Sequence, residues 1–239
     1  MKGRFERKYR LGDRDWAYLL ECWRPRLVRA PFTDGRATYP VLSQYFDSPD
    51  FFCHRHKHDG VGIRRKFRLR SYGTRFGRDT PCFLEIKRRT SDSVSKKRVQ
   101  LPAFQPEYLD PGCWASLAVP GLDLFCAAHE AHRLRPSAQV FYVREAYEAL
   151  AADELRITVD SMLMALHPGE VLSRELLYER SRAVLPETEM ILEIKGPDRL
   201  PPWVHRGIEW CELRQDTVPK YVMAVEALNL VQLNAGVLV

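Results

Sequence analysis

Basic residues recur at every second position in several short segments of this chain: Lys66, Arg68 and Arg70; Lys87 and Arg89 after Glu85; and Lys96 and Arg98. Phe67, Leu69, Leu84, Ile86 and Val99 occupy the opposite parity, which is the period of a strand with one apolar and one ionic face. The design returns in Arg4, Glu6, Lys8 and Arg10 against Phe5, Tyr9 and Leu11, and in Tyr142 and Arg144 against Phe141 and Val143. It appears again in Arg156, Thr158 and Asp160 against Leu155, Ile157 and Val159, and in Glu193 and Lys195 against Leu192 and Ile194. Ranks of Lys and Arg with a few carboxylates suit one chemistry well. Guanidinium forks and ammonium groups hold the nonbridging oxygens of an extended polyanion, while carboxylates hold a divalent cation that bridges phosphate oxygens.

Any half-buried antiparallel strand turns a polar face to water, so the alternation alone is also compatible with a solvated surface. Such faces normally mix Thr, Ser, Gln, Glu and Lys, whereas these are dominated by Lys and Arg with a single carboxylate on several strands. A surface of that kind repels itself unless an anion compensates it.

At least seven strands share the design, with Gly or Pro between several of them, and their number suits a barrel of about eight strands whose ionic face points inward. Helices are expected from Asp13 through Trp16, Leu19, Leu20 and Trp23 until Pro25, from Pro120 to Arg133, around Trp203–Leu213 and from Val218 to Leu230. The fold class is therefore α+β: an antiparallel β-barrel tunnel flanked by short helices. With 239 residues, 45% of them hydrophobic, the chain buries a sizeable core and wholesale disorder is excluded. No repeat, linker or shift in composition divides it, so 1–239 reads as one unit, in which the tail 231–239 carries no motif.

Thirty-seven Lys and Arg against 31 Asp and Glu give a net charge of +6, a basic lean and no histone-like excess. Six cysteines stand singly, without the spacing of a disulfide framework or zinc site, which suits a reduced cytoplasmic protein with buried thiols. The charged start lacks the apolar run of a signal peptide, and no uncharged stretch is long enough to cross a membrane as a helix.

Taken in order, Phe5-Glu6-Arg7-Lys8-Tyr9, Gln44-Tyr45-Phe46-Asp47-Ser48-Pro49-Asp50, Arg65-Lys66-Phe67-Arg68-Leu69-Arg70-Ser71-Tyr72-Gly73 and Leu84-Glu85-Ile86-Lys87 resemble the VTC domain of polyphosphate polymerases. So do Lys96-Lys97-Arg98, Tyr142-Val143-Arg144, Leu155 to Asp160, Leu192 to Lys195 and Pro219-Lys220-Tyr221. The resemblance implies a triphosphate tunnel metalloenzyme that transfers the γ-phosphate of ATP to a growing polyphosphate chain, with Mn2+ or Mg2+ and release of ADP. It implies that Lys8, Arg68, Arg70, Lys87, Lys96, Arg144, Arg156 and Lys220 are tunnel cations and that Glu193 binds the metal. Lys66, Arg98 and Lys195 join the lining by parity, and Glu85 and Glu6 are the further carboxylates available to a metal.

Hydrolytic and cyclase relatives in the same superfamily begin with Glu-x-Glu-x-Lys, whereas Arg4, Glu6 and Lys8 stand here. Loss of one carboxylate favours the polymerase branch over a two-metal hydrolase. Expected partners are ATP and inorganic polyphosphate or phosphate, with a separately encoded membrane protein as a further one, because eukaryotic relatives carry the domain within a membrane complex. Nucleic acid is disfavoured: the basic stretch His54 to His58 followed by Arg64-Arg65-Lys66 matches no nucleic-acid motif. His54, His56 and His58 stand at strand spacing, which reads as a solvated hairpin arm ending at Asp59-Gly60, with metal binding as the alternative. Trp16, Trp23, Trp203 and Trp210 are expected to pack, and Ser91-Asp92-Ser93 to form a turn.

Overall fold

A computed structural model of the chain describes residues 5–30, 36–90, 93–150, 155–169 and 179–231. Within these the fold is α+β, built on one antiparallel sheet of ten strands. Contacts group the chain into two compact units, both discontinuous in sequence, and the chain passes from one to the other at Tyr39–Pro40, within two strands, and at two later points.

The first unit comprises residues 1–39, 142–163 and 185–219. Strand β1 (Phe5–Gly12) leads into helix α1 (Asp13–Trp23) and the short strand β2 (Leu27–Arg29). The unit also holds the later part of β7 (Arg135–Ala149), most of β8 (Arg156–Leu166), β10 (Glu189–Gly196) and a helix at Pro202–Trp210. Pairing runs β1-β10-β8-β7, with β2 on β7. The apolar parity of these strands supplies Tyr9, Leu11, Ile157, Val159, Leu192 and Ile194 to a core closed by Trp16, Leu19, Trp23, Val204 and Ile208.

The two helices of this core touch through a glycine. A Cβ on Gly207 would lie 2.8 Å from both Leu19 Cδ2 and Trp23 Nε1, closer than real Cβ contacts. Trp23 in turn donates its indole N–H to the Trp203 carbonyl at 3.2 Å. Trp16, Trp23 and Trp203 thus pack as expected, but Trp210 is 73% exposed and stacks on Tyr18. It lies at the end of its helix, beyond the turn that faces the core.

The second unit comprises residues 40–141, 164–184 and 220–239. It contains β3 (Tyr39–Asp47) from Pro40 onward, helix α2 (Phe52–His58), β4 (Arg64–Ser71), β5 (Cys82–Arg89), β6 (Val94–Leu101), helix α3 (Asp123–His132) and the early part of β7. The end of β8 pairs there with β9 (Arg182–Ala183), and Lys220–Ala227 forms a further helix. With the helix at Pro202–Trp210 named α4, this one is α5. Pairing runs β7-β3-β4-β5-β6. Phe46, Trp114 and Phe125 meet edge to face at 5.0 and 6.1 Å in the core of this unit.

Three expectations need correction. The hydrogen-bonded path ends at β1 and β6, and among the described residues no pairing joins those two strands, so pairing leaves the sheet open where a closed barrel was expected. His54 to His58 form helix α2 and no hairpin arm. Asp47 explains why: its buried carboxylate accepts the N–H groups of Ser48, Cys53 and His54 at 2.8, 2.9 and 3.2 Å, satisfying the donors that a helix start leaves without partners. The thiols are not all buried, since Cys22 is exposed and Cys113, Cys126 and Cys211 are half-buried, though all six are free. Arg4, the turn at 91–92 and the tail from 232 lie outside the described residues.

Candidate functional site

Both ionic faces have buried centres, while β6 leaves Lys96 and Arg98 exposed. In the first unit Glu193, Asp160, Arg144 and Thr158 are between 0% and 8% exposed, and in the second Glu85, Arg70, Ser43 and Lys220 likewise fall within that range. A solvated strand face would not be dry. The charges must therefore be compensated by one another or by a ligand.

In the first unit the compensation is nearly complete. The register sets Glu6 opposite Lys195 and Lys8 opposite Glu193, so that two Glu-x-Lys segments run head to tail across β1 and β10. Lys8 Nζ lies 2.8 Å from Glu193 Oε1 and 3.6 Å from Glu6 Oε1. Lys195 Nζ lies 3.5 Å from Glu6 and 3.7 Å from Glu193 Oε2. Arg144 forks onto Asp160, Nε to Oδ1 at 2.5 Å and Nη2 to Oδ2 at 2.6 Å, and reaches Glu193 Oε2 at 3.7 Å. Arg156 stands opposite Lys195 on β8. Burial draws the Lys195 ammonium below the usual lysine range despite Glu193 and Glu6.

In the second unit the balance is different. Across β4, β5 and β6 one rung sets Arg68, Glu85 and Arg98 side by side, and the next sets Lys66, Lys87 and Lys96 together. Arg68 Nε donates to Glu85 Oε2 at 2.7 Å, Arg98 Nε stands 3.3 Å from Glu85 Oε1, and Lys96 Nζ pairs with the same oxygen. Arg70 donates to Ser43 Oγ at 3.2 Å. Burial alone would raise the Glu85 carboxyl, but Arg68, Arg70 and Lys96 overcome it and hold the group at about 2. Lys96 is drawn below the lysine range by burial, with Arg68 and Arg70 adding to it, despite Glu85. Glu85 thus serves three of these cations at once, and three lysines directly opposite one another are mutually destabilising. Lys220, at the start of α5, is a further buried cation of this unit.

The chain matches the family model of the VTC domain over residues 3–229. It belongs to the VTC domain family. A comparison with curated proteins found no match. Among solved structures, a candidate adenylate cyclase from Bacillus halodurans is similar at a TM-score of 0.49 and 10% identity, covering 91% of this chain and 94% of that one. The PH1819 protein of Pyrococcus horikoshii is similar at 0.47 and 11%, covering 95% and 99%.

This VTC domain contains three further residues to which the sequence reading gave no site role, although the alternation had set two of them, Thr158 and Asp160, on an ionic face. Asp160 fixes the buried Arg144 guanidinium. Thr158 stands opposite Glu193 in register, 3% exposed, and its hydroxyl makes no hydrogen bond among the described residues. Both share the parity of Arg156, the signal that could have found them. Tyr45 has no such signal: its hydroxyl accepts from Arg68 Nη1 at 3.2 Å, and although burial raises its ionisation, Arg68, Arg70 and Lys66 bring it down to about 8.

Two carboxylates of the first unit, Glu6 and Glu193, would suit a divalent metal, although Lys8 and Lys195 already pair with both. Glu6 and Glu193 present oxygens on one face, and the unbonded Thr158 hydroxyl lies beside them, a donor set suited to a hard cation and its water. Glu85 is already engaged by Arg68, Lys96 and Arg98.

Proposed function

We propose that this VTC domain is a metal-dependent polyphosphate polymerase, which uses ATP to lengthen a phosphate or short polyphosphate primer. The observation that carries the reading is the rung of Lys66, Lys87 and Lys96 beside Arg68, Glu85 and Arg98. A face with cations so closely set, buried at Glu85 and Arg70 and open along β6, suits a ligand with closely spaced negative charges, and a phosphate chain has them.

Phosphoryl transfer asks a protein for position and charge neutralisation more than for covalent participation. Arg68, Arg70 and Arg98 present guanidinium groups to nonbridging oxygens, and Lys66, Lys87, Lys96 and Lys220 add point charges. Lys8, Arg144, Arg156 and Lys195 are the cations of the first unit's own ionic face, where Asp160 keeps Arg144 in place. A divalent cation, Mn2+ or Mg2+, held by Glu193 and Glu6 would offset charge on the β- and γ-phosphates. In the reaction an oxygen of the primer's terminal phosphate attacks the γ-phosphorus in line, the bond to the β-phosphate oxygen breaks, and ADP leaves with that electron pair. No protein nucleophile takes part.

The test is incubation of the full chain with ATP and Mn2+, with and without a short polyphosphate primer, following ADP and long-chain polymer together. Polymer formed in step with ADP supports the polymerase. Orthophosphate without polymer would replace it with a triphosphate hydrolase, and tight triphosphate binding without turnover would leave a binding module.

A further inference from the structure

Helix α2 and helix α5 of the second unit bring together three side chains that the phosphate chemistry does not use. His54 and His58 are four residues apart and so share one face of α2, and Glu226 faces them from α5. One ligand atom from each lies within 4.8 Å of the other two. His58 Nε2 is 2.8 Å from Glu226 Oε1, and His54 Nε2 is 3.8 Å from the same oxygen. The two imidazole rings are 4.6 Å apart at 47°.

The second observation concerns His54 alone. It is 7% exposed, and among the described residues neither ring nitrogen has a hydrogen-bond partner. Buried polar atoms are nearly always satisfied, so an imidazole with both nitrogens unbonded has an unmet need for a partner. A metal would meet it at Nε2.

We propose that His54, His58 and Glu226 bind a borderline transition metal, Zn2+ above all, with water in the remaining position. Two imidazoles and one carboxylate are a donor set for zinc, whereas Mg2+ and Ca2+ prefer all-oxygen surroundings. Tetrahedral ligands ~2.1 Å from zinc stand about 3.4 Å apart, so the separations here close around an ion with small side-chain rotations. His58 and Glu226 are about half exposed, which leaves an entry path from solvent. Asp47 is not a fourth ligand, because its carboxylate is taken by three backbone N–H groups and by the Tyr221 hydroxyl at 2.6 Å. His56 also stays outside, with its ring edge to face with Phe52 at 5.4 Å. The bound ion would clip α5 to α2.

The experiment uses the full chain, stripped with a chelator and titrated with Zn2+ by calorimetry, and with Co2+ as a spectroscopic probe. The expected result is one Zn2+ bound in a thermal-shift-active site, with Co2+ giving the visible absorption of a tetrahedral site. His58→Ala and Glu226→Gln remove exposed side chains and should fold; each should weaken Zn2+ by more than the ~100-fold that loss of a mere supporting hydrogen bond brings at most, and should abolish the thermal shift. Glu193→Gln should leave this Zn2+ event intact, which separates it from any metal of the phosphate chemistry. Zn2+ binding of unchanged stoichiometry and affinity in both variants, or no binding by the parent chain, would overturn the proposal.

Discussion

Replacing Glu85 by Gln removes the one carboxylate that Arg68, Lys96 and Arg98 share, with almost no change in size. The side chain is 1% exposed, so solvent screening is slight. Gln stands in for the protonated acid. The fall of the Glu85 carboxyl from 4.5 to about 2 therefore measures what the substitution should cost, about 3 kcal/mol at ~1.36 kcal/mol per pKa unit. Because the folded value is depressed, this stability is fully present above pH 4.5 and is lost as pH falls through about 2. Urea unfolding at pH 7 should show the loss, and the parent's decline between pH 4.5 and 2 should be shallower in Glu85→Gln. Tripolyphosphate should then restore more stability to the variant than to the parent, since a bound polyanion supplies the missing negative charge. A variant as stable as the parent at pH 7, or one that tripolyphosphate rescues no better, would refute the view that Glu85 is an internal counter-ion in a phosphate site.

Arg68→Ala and Arg70→Ala should each weaken triphosphate binding by about 1.5–3 kcal/mol, read by calorimetry at fixed ionic strength, because each removes a charged donor. Glu193→Gln should abolish metal-dependent ADP formation while circular dichroism stays native. Absorbance titration should reveal a tyrosine ionising near pH 8 that vanishes in Tyr45→Phe and moves up when tripolyphosphate neutralises Arg68 and Arg70; since the folded value is lowered, its stabilisation is present above 10 and is lost as pH falls through 8. Gly207→Ala should cost about 1–3 kcal/mol in thermal or urea unfolding, as the added methyl meets Leu19 and Trp23.

The strand alternation was legible because a period of two forces parity: once Leu192 and Ile194 face a core, Glu193 and Lys195 must face the other way. The cations of both faces, and the helix from Asp13 to Trp23 ahead of Pro25, could be read the same way. Short-range pattern does not carry partners. Nothing in the order of residues says that Lys66, Lys87 and Lys96 share a rung, that Glu85 lies between Arg68 and Arg98, or that Asp160 holds Arg144. Those facts depend on register between strands far apart in the chain. The His54–His58 segment shows the limit most directly, since alternating residues fit strand and loop alike until Asp47, buried and aimed at the backbone, makes the segment helical. The sequence by itself determined which residues are charged and which face they share. Only the tertiary structure decided which parts of those faces are buried and which charges meet there, because burial and pairing are set by contacts between distant segments.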